Sequence, residues 1–210
     1  MKKTILFIIL LTFTFLSNAQ ESDVPNYDSD SKPAYSKFYI GIGIGLAVPG
    51  GEGLDGLKSG INLKFLDVGY RFNENWGVTI GLDSSGFPFE DSDIDAAVGV
   101  GRFAIGPMYT IPFGGNLSLD IKPKYAFAIS GVIRGDNIGD FEDLTYSGSG
   151  FVFANSLVFK LTKGFTFSVD LDYTFGKFNE AELNGSTYDV YADEDQINVF
   201  SIGAGIRYNF

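Results

Sequence analysis

The sequence predicts an all-β fold, an eight-stranded antiparallel up-and-down transmembrane β-barrel. Three observations carry this prediction. Apolar residues alternate with small or polar ones over eight segments, and a period of two is the period of a β-strand. The connections between these segments are alternately long and short. The last segment ends on Phe210, with Tyr208 two residues before it, an arrangement suited to a membrane interface.

The first residues are typical of a secretory signal peptide. Lys2 and Lys3 give a positive start, an apolar run follows to Leu16, and Ala19 supplies a small residue before the cleavage position. The polar segment after it is too hydrophilic to bury enough surface to order itself. The predicted organisation therefore has three parts: a signal peptide read by the Sec pathway (1–19), a flexible periplasmic leader (20–37) and the barrel (38–210).

Composition excludes several classes of function. The formal net charge is -11 at pH 7, which argues against nucleic acid as a partner. The absence of Cys excludes disulfides and thiolate metal sites, and the absence of His removes the usual group for proton transfer near neutral pH. We therefore expect no cofactor and no enzymatic activity. Carboxylate-only catalysis stays open in principle, but it needs two acids placed on either side of a cleft.

The eight segments follow one another at regular intervals, with long loops at 49–59, 84–95, 131–150 and 179–195. The predicted strands are Phe38–Val48, Ile61–Phe72, Trp76–Asp83, Ala96–Phe113, Leu117–Ser130, Phe151–Leu161, Phe165–Phe175 and Asn198–Phe210. Pro123 falls on the outward face of the fifth segment, where it removes one ladder hydrogen bond.

Two segments change phase internally. In the second, the apolar set changes parity at Phe65 and Leu66, so we expect a β-bulge there, or a first half that projects beyond the membrane. In the fourth, Val98 and Val100 are out of phase with the apolar residues that follow. A second bulge between Gly101 and Phe103 is expected to reconcile them.

The two faces of the strands differ in polarity, and this difference distinguishes a membrane barrel from a soluble one. In the seventh segment, for example, Leu171 belongs to an almost uninterrupted apolar face and Asp170 to a face of small and polar residues. A soluble barrel of the lipocalin type turns its apolar face inwards and its polar face to water. Glycines and small polar residues make a poor soluble surface, so the apolar face is predicted to meet lipid.

On these residues the chain resembles the outer-membrane β-barrel family, in particular its small eight-stranded members of the OmpA and OmpX type. The terminal strand carries the resemblance most directly, through Ile206, Tyr208 and Phe210. The resemblance covers roughly residues 38–210. It implies a Gram-negative outer-membrane location, contact with the lipid of that membrane, and recognition of the terminal strand by the barrel-assembly machinery. It also implies periplasmic short turns and extracellular long loops.

Inward-facing charges nearly balance in sign, which favours ion pairs in a closed lumen over a selective pore. Lys122 and Lys124 are predicted to pair with Asp170 and Asp172 across one intervening strand. A small-solute porin with a narrow polar lumen remains the alternative. The predicted lumen charge cluster comprises Asp67, Arg71, Asp120, Lys122, Lys124, Lys160, Asp170, Asp172 and Arg207, with Asp83 and Arg102 on the same face.

The long loops are strongly acidic. Asp91, Asp93 and Asp95 resemble the start of a calcium loop, but the expected Gly and bidentate Glu do not follow, so the metal prediction is weak. A solvated acidic rim is the simpler interpretation, and an extracellular ligand or a divalent cation is the alternative. The sequence thus predicts a non-enzymatic outer-membrane barrel with a structural or surface-binding role in the cell envelope.

Overall fold

The computed structural model of the protein describes residues 36–90, 96–135, 145–162, 164–183, 186–189 and 196–210, without the side chains of residues 134, 135, 188 and 189. These ranges contain nine strands: β1 Phe38–Gly50, β2 Gly60–Arg71, β3 Trp76–Pro88, β4 Ala96–Gly114, β5 Leu117–Gly135, β6 Thr145–Lys160, β7 Phe165–Leu183, β8 Ser186–Asp189 and β9 Gln196–Asn209. A 3-10 helix covers Glu52–Leu54. No helix within the described ranges has the length and apolar character needed to cross a membrane.

Eight of the strands close into a ring. Each strand from β1 to β7 pairs antiparallel with the next, β7 also pairs with β9, and β9 pairs with β1 from Tyr39–Asn209 to Gly50–Asn198. The short strand β8 pairs with the far end of β7 and lies outside the ring. The predicted eight-stranded antiparallel up-and-down barrel is therefore confirmed.

The two ends of the barrel differ. At one end, named here the turn end, the chain reverses at 73–75, at 114–116 and between β6 and β7, and both ends of the described chain are found there. Gly114 and Gly115 have φ of 92° and 58°, values that favour glycine. The other end is named the loop end. In outer-membrane barrels the short turns are periplasmic and the long loops extracellular.

The outer face is apolar, as the alternation predicts. Leu171 is 43 % exposed, whereas its neighbour Asp170 is 5 % exposed and faces the lumen. Aromatic rings pack against each other on the outside at the turn end, with centroids of Phe38 and Phe210 5.2 Å apart and those of Trp76 and Tyr109 4.8 Å apart. Such a ring of aromatic side chains is what the membrane interface favours.

The expected bulge in β2 is confirmed. The pairing of β2 with β3 shifts between Lys64 and Leu66, and the pairing of β1 with β2 shifts at the same level. Lys64 and Asp67 are three residues apart, a spacing that would place them on opposite faces of a regular strand. Because of the bulge, both are buried in the lumen.

The prediction for the fourth strand is corrected. A register shift occurs between Phe103 and Ala104, close to the expected position, but it belongs to the ladder with β5. The pairing of β4 with β3 is unbroken along its whole length. Val100 is therefore fully buried inside the barrel, and Val98 packs against the same interior cluster, where the sequence interpretation placed both outside.

The structure also accounts for Pro123. The β4–β5 ladder is interrupted on both sides of it, and the register there sets Pro107 opposite. Pro107 still pairs with Val78 of β3, and Pro123 still pairs with Phe153 of β6. The two missing N–H donors therefore fall at one place in one ladder, and each proline stays paired on its other side.

At the loop end, the loops predicted from the sequence contain residues that the structure places in strands. β3 continues to Pro88, β5 to Gly135 and β7 to Leu183, while β6 already begins at Thr145. The apolar alternation stops where the strands leave the lipid, but the backbone ladder continues beyond it. Sequence alternation therefore marks the membrane-crossing part of each strand and misses the extension.

Candidate functional site in the barrel lumen

A layer of buried charges fills the part of the lumen nearer the turn end. We name it the charged layer. Each member is at most 8 % exposed, and ten of the eleven sit on positions that the alternation or the predicted cluster assigned to the lumen. Its members are Lys64, Asp67, Arg71, Asp83, Arg102, Asp120, Lys122, Lys124, Asp170, Asp172 and Arg207.

Arg207 joins three strands to the C-terminal strand. Its Nη1 lies 2.7 Å from Asp120 Oδ2, and its Nη2 lies 3.0 Å from Asp67 Oδ2 and 3.7 Å from Asp170 Oδ1. The guanidinium also stands over the ring of Tyr39, 4.6 Å from its centroid. A planar group with five donors is suited to such a junction, since one lysine ammonium has only three.

Asp120 is held from two sides. Arg71 Nη2 lies 3.3 Å from Asp120 Oδ1, and Thr110 Oγ1 donates a 2.7 Å hydrogen bond to the same oxygen. Arg71 Nε in turn donates to Thr110 Oγ1 at 3.2 Å. Asp120 therefore receives donors from β2, β4 and β9, and its buried charge is compensated.

Lys64 takes the place that the sequence interpretation gave to Lys122 and Lys124. Lys64 Nζ lies 3.1 Å from Asp170 Oδ2 and 3.0 Å from Asp172 Oδ2. Lys122 instead pairs with Asp67, Nζ to Oδ2 at 3.1 Å. The predicted pairing of Lys122 and Lys124 with the two aspartates is therefore wrong.

The reason for the error is geometric. The prediction measured distances along the barrel wall, across one intervening strand. Lys64 on β2 and Asp170 on β7 have two strands between them in the ring, and so have Lys122 on β5 and Asp67 on β2. In an eight-stranded barrel the interior is narrow enough for side chains to meet across it. The ion pairs therefore span the lumen.

A second ion pair group lies next to the first. Arg102 forms an ion pair with Asp83 and donates 3.0 Å hydrogen bonds to Thr174 Oγ1 and Ser85 Oγ. These contacts connect β3, β4 and β7. Lys124 is also buried, and its Nζ lies 2.8 Å from the point where a Cβ on Gly81 would stand, so the glycine leaves room for the ammonium.

One predicted member of the cluster is placed elsewhere. Lys160 is exposed at the turn end, where β6 ends, so the prediction is wrong for this residue. Lys64 was missed, although a signal for it existed. The alternation of Ile61, Leu63 and Phe65 on the outside already places residue 64 inside.

Nearer the loop end the interior is apolar. We name this second region the apolar plug, and its side chains are all buried and pack in one cluster. The alternation pattern did not reveal it, because an apolar residue was always read as lipid-facing. Its members are Ala47, Leu54, Leu57, Phe87, Val100, Ile129, Phe178, Ile197 and Val199.

The first long loop contributes two of these side chains. The 3-10 helix brings Leu54 over the plug, and Leu57 forms a bridge with Phe89. The amide of Lys58 donates to Pro88 O at 2.8 Å, and its Nζ donates to Glu90 O at 2.9 Å. This loop therefore folds across the loop end and is fastened to the extension of β3.

The charged layer contains a small cavity. It has a volume of about 10 Å³ and is lined by Lys64, Asp172 and Ser201 among others. That volume corresponds to roughly one water molecule. Along the barrel axis, the lumen is filled first by the charged layer, which contains this cavity, and then by the apolar plug.

Within the described ranges, no group of three or more acidic side chains is placed to hold a metal ion. The weak calcium candidate formed by Asp91, Asp93 and Asp95 lies outside those ranges. The lumen aspartates in turn are engaged by lysine, arginine or hydroxyl groups.

Comparison with known proteins agrees with this architecture. The family model described as outer membrane protein beta-barrel domain matches residues 7–210. No curated protein matches the sequence. The predicted family resemblance and outer-membrane location are confirmed by the family match.

Three solved structures show the same fold. Neisserial surface protein A is 12 % identical with a TM-score of 0.55, covering 83 % of this chain and 98 % of that chain. AlkL in lipid bilayers is 14 % identical with a TM-score of 0.52, covering 90 % and 97 %. OprG from Pseudomonas aeruginosa is 14 % identical with a TM-score of 0.51, covering 86 % and 99 %. At these identities the likeness shows the fold alone.

Proposed function

Because the chain belongs to the outer membrane protein beta-barrel domain family, we propose that it is a non-enzymatic integral outer-membrane barrel whose lumen is closed. Its role is then structural, or it lies in binding at the cell surface through the acidic loop end. This proposal takes the barrel as a rigid membrane-spanning support rather than as a conduit.

The observation that carries the proposal is the double filling of the lumen. Arg207 ties Asp67 and Asp120 together across the charged layer, at 3.0 and 2.7 Å. Beyond it, the packed apolar side chains of the plug fill the same axis. A solute would have to break buried ion pairs and then displace packed apolar side chains, and each step is costly.

The chemistry of the lumen argues for a non-enzymatic role. The sequence has no His, the most frequent side chain in proton transfer near neutral pH. The paired carboxylates Asp67, Asp120 and Asp170 each accept from a cation in the lumen. A pair of acids placed for glycoside hydrolysis needs one proton donor and one free base, which these ion pairs do not offer.

Single-channel recording on refolded protein in a planar bilayer tests the closed lumen. We expect no steady conductance from the wild type. The matched control is Lys160→Ala, a change at an exposed end of β6, which should be equally silent. Steady conductance of the wild type would sink the proposal and favour the narrow small-solute porin.

A surface-binding role is supported by exposed carboxylates at the loop end. Glu52, Asp55, Glu90, Glu180 and Glu182 are all exposed. Calorimetric titration of the folded protein with Ca²⁺ tests whether this rim binds divalent cations, with Glu180→Gln plus Glu182→Gln as the comparison. Weaker heat in the double variant supports cation binding, and equal heat in both removes these two residues from it.

Assembly is proposed to depend on the outward residues at the end of β9 and on Phe210, which follows it. Ile206, Tyr208 and Phe210 are exposed on the lipid side, while Arg207 between them is buried. Removal of Phe210 should lower the fraction of heat-modifiable, folded protein in the outer membrane. Asn209→Ser, next to it, is the control and should assemble normally.

A further inference from the structure

The cavity in the charged layer lies where β2, β7 and β9 face one another. Lys64, Asp172 and Ser201 come from these three strands and line it together. All three residues are buried, with 8 % of Lys64, 8 % of Asp172 and 4 % of Ser201 exposed. Buried polar groups from three strands therefore border the same small space, together with Gly43, Ile44, Gly203 and Ala204.

These groups have hydrogen-bonding capacity to spare. Asp172 Oδ1 and Ser201 Oγ are buried and have no hydrogen-bond partner among the described residues. Lys64 contacts two carboxylate oxygens, at 3.1 and 3.0 Å, but an ammonium group has three donors. One donor, one acceptor and one hydroxyl thus face the same small space, and leaving them unpaired in a buried site is unfavourable.

Size and charge together select the ligand. The volume of about 10 Å³ fits one water molecule. A cation at this place would lie beside the Lys64 ammonium, and an anion would lie beside the Asp172 carboxylate, so repulsion disfavours both. A neutral molecule that accepts from Lys64 and donates to Asp172 meets no such conflict.

We propose that this cavity is a binding site for a single water molecule held by Lys64 Nζ, Asp172 Oδ1 and Ser201 Oγ. The water completes the polar network between β2, β7 and β9, with three partners, the typical number for a buried water. The cavity is then a hydrated site in a part of the lumen that is otherwise filled by side chains.

The direction in which Ser201→Ala changes the stability of the protein distinguishes a hydrated cavity from a dry one. If water is present, Ser201→Ala removes one of its partners, so the urea midpoint of unfolding in lipid vesicles should fall. If the site is dry, Ser201→Ala removes an unsatisfied buried hydroxyl, and the midpoint should stay or rise. Ser156→Ala is the reference, because Ser156 Oγ donates to Asp170 Oδ1 at 2.5 Å and its loss should lower the midpoint in either case.

A direct observation accompanies the stability test. In refolded, isotopically labelled protein, the amides of Gly43 and Gly203, which line the cavity, should show cross-peaks to the water resonance. The cross-peaks should persist in Ser201→Ala, where the serine hydroxyl cannot relay them, and the amide of Asp120 serves as the distant buried reference. An unchanged or raised midpoint for Ser201→Ala overturns the proposal, and so does the absence of these cross-peaks.

Discussion

The charged layer and the apolar plug fill neighbouring lengths of one lumen with opposite chemistry. In the charged layer several side chains depend on a partner from a strand across the barrel, such as Lys64 on β2 with Asp170 on β7. In the apolar plug, Val100 or Ile197 depends only on being surrounded. The first region therefore specifies which strands face each other, and the second fills the interior without selecting partners.

The difference has an energetic consequence. Removing one member of a buried ion pair leaves an uncompensated charge, which destabilises by about 3–5 kcal/mol. Removing part of an apolar side chain leaves a cavity into which neighbours can relax, so the loss varies with the site. Substitutions in the two regions should therefore differ both in size and in which second change restores stability.

The largest effect is expected at Arg207. Replacing Arg207 with Met keeps the bulk of the side chain but removes the donors to Asp67 and Asp120. We expect a loss of about 3–5 kcal/mol in the free energy of unfolding, measured by urea titration in lipid vesicles. Lys160→Met, exposed at the turn end, should change it by less than about 0.5 kcal/mol. Equal stability of the two variants would mean that water compensates the lumen charges.

The next largest effect is expected from a charge on the lipid-facing side of the barrel wall. Leu171 points to lipid beside the buried Asp170. Leu171→Arg should destabilise the protein in lipid by about 2–4 kcal/mol if residue 171 lies near the bilayer midplane, as judged by the same unfolding titration. A variant that folds as well as wild type in lipid would contradict the assignment of faces. Leu171→Ile is the control for a change of shape alone.

A double-mutant cycle sharpens the comparison at the ion pairs. Lys64→Met and Asp170→Asn should couple by about 0.5–3 kcal/mol, because the two groups touch. The same cycle with Lys122→Met in place of Lys64→Met should couple less, since Lys122 contacts Asp67. If Lys122 couples to Asp170 more strongly than Lys64 does, the contacts across the lumen are wrong and those along the wall are right.

Lys64 also shows how far sequence reasoning extends. Strand number, closure, and the direction in which Leu171 and Asp170 point follow from a local period of two, and all agree with the structure. The partner of Lys64 does not follow, because it depends on which side chains reach each other across a closed ring. Val100 was misassigned for another reason. An apolar residue is equally compatible with lipid and with an apolar interior, and only the register of β4 distinguishes them.

The smallest losses of stability are expected from exchanging the chemistry of the two regions at constant shape. Val100 in the apolar plug and Thr174, which contacts the charged layer, are both fully buried, and Thr174 Oγ1 accepts a 3.0 Å hydrogen bond from Arg102. Val100→Thr buries a hydroxyl in apolar surroundings, and Thr174→Val removes an acceptor from a charged donor, so each should destabilise by about 1–3 kcal/mol.

The informative quantity is how the stability loss of each variant changes when Arg102 is also replaced. Thr174→Val should lose most of its effect once Arg102→Met has removed the donor, because the two changes act on one hydrogen bond. Val100→Thr should keep its effect in the Arg102→Met background, since the side chain of Arg102 bonds to Asp83, Ser85 and Thr174 and residue 100 packs in the apolar cluster. Urea midpoints of the four variants and their parents decide the matter. If Val100→Thr becomes neutral when Arg102 is replaced, the charged layer extends to residue 100, and the boundary between the two regions lies nearer the loop end.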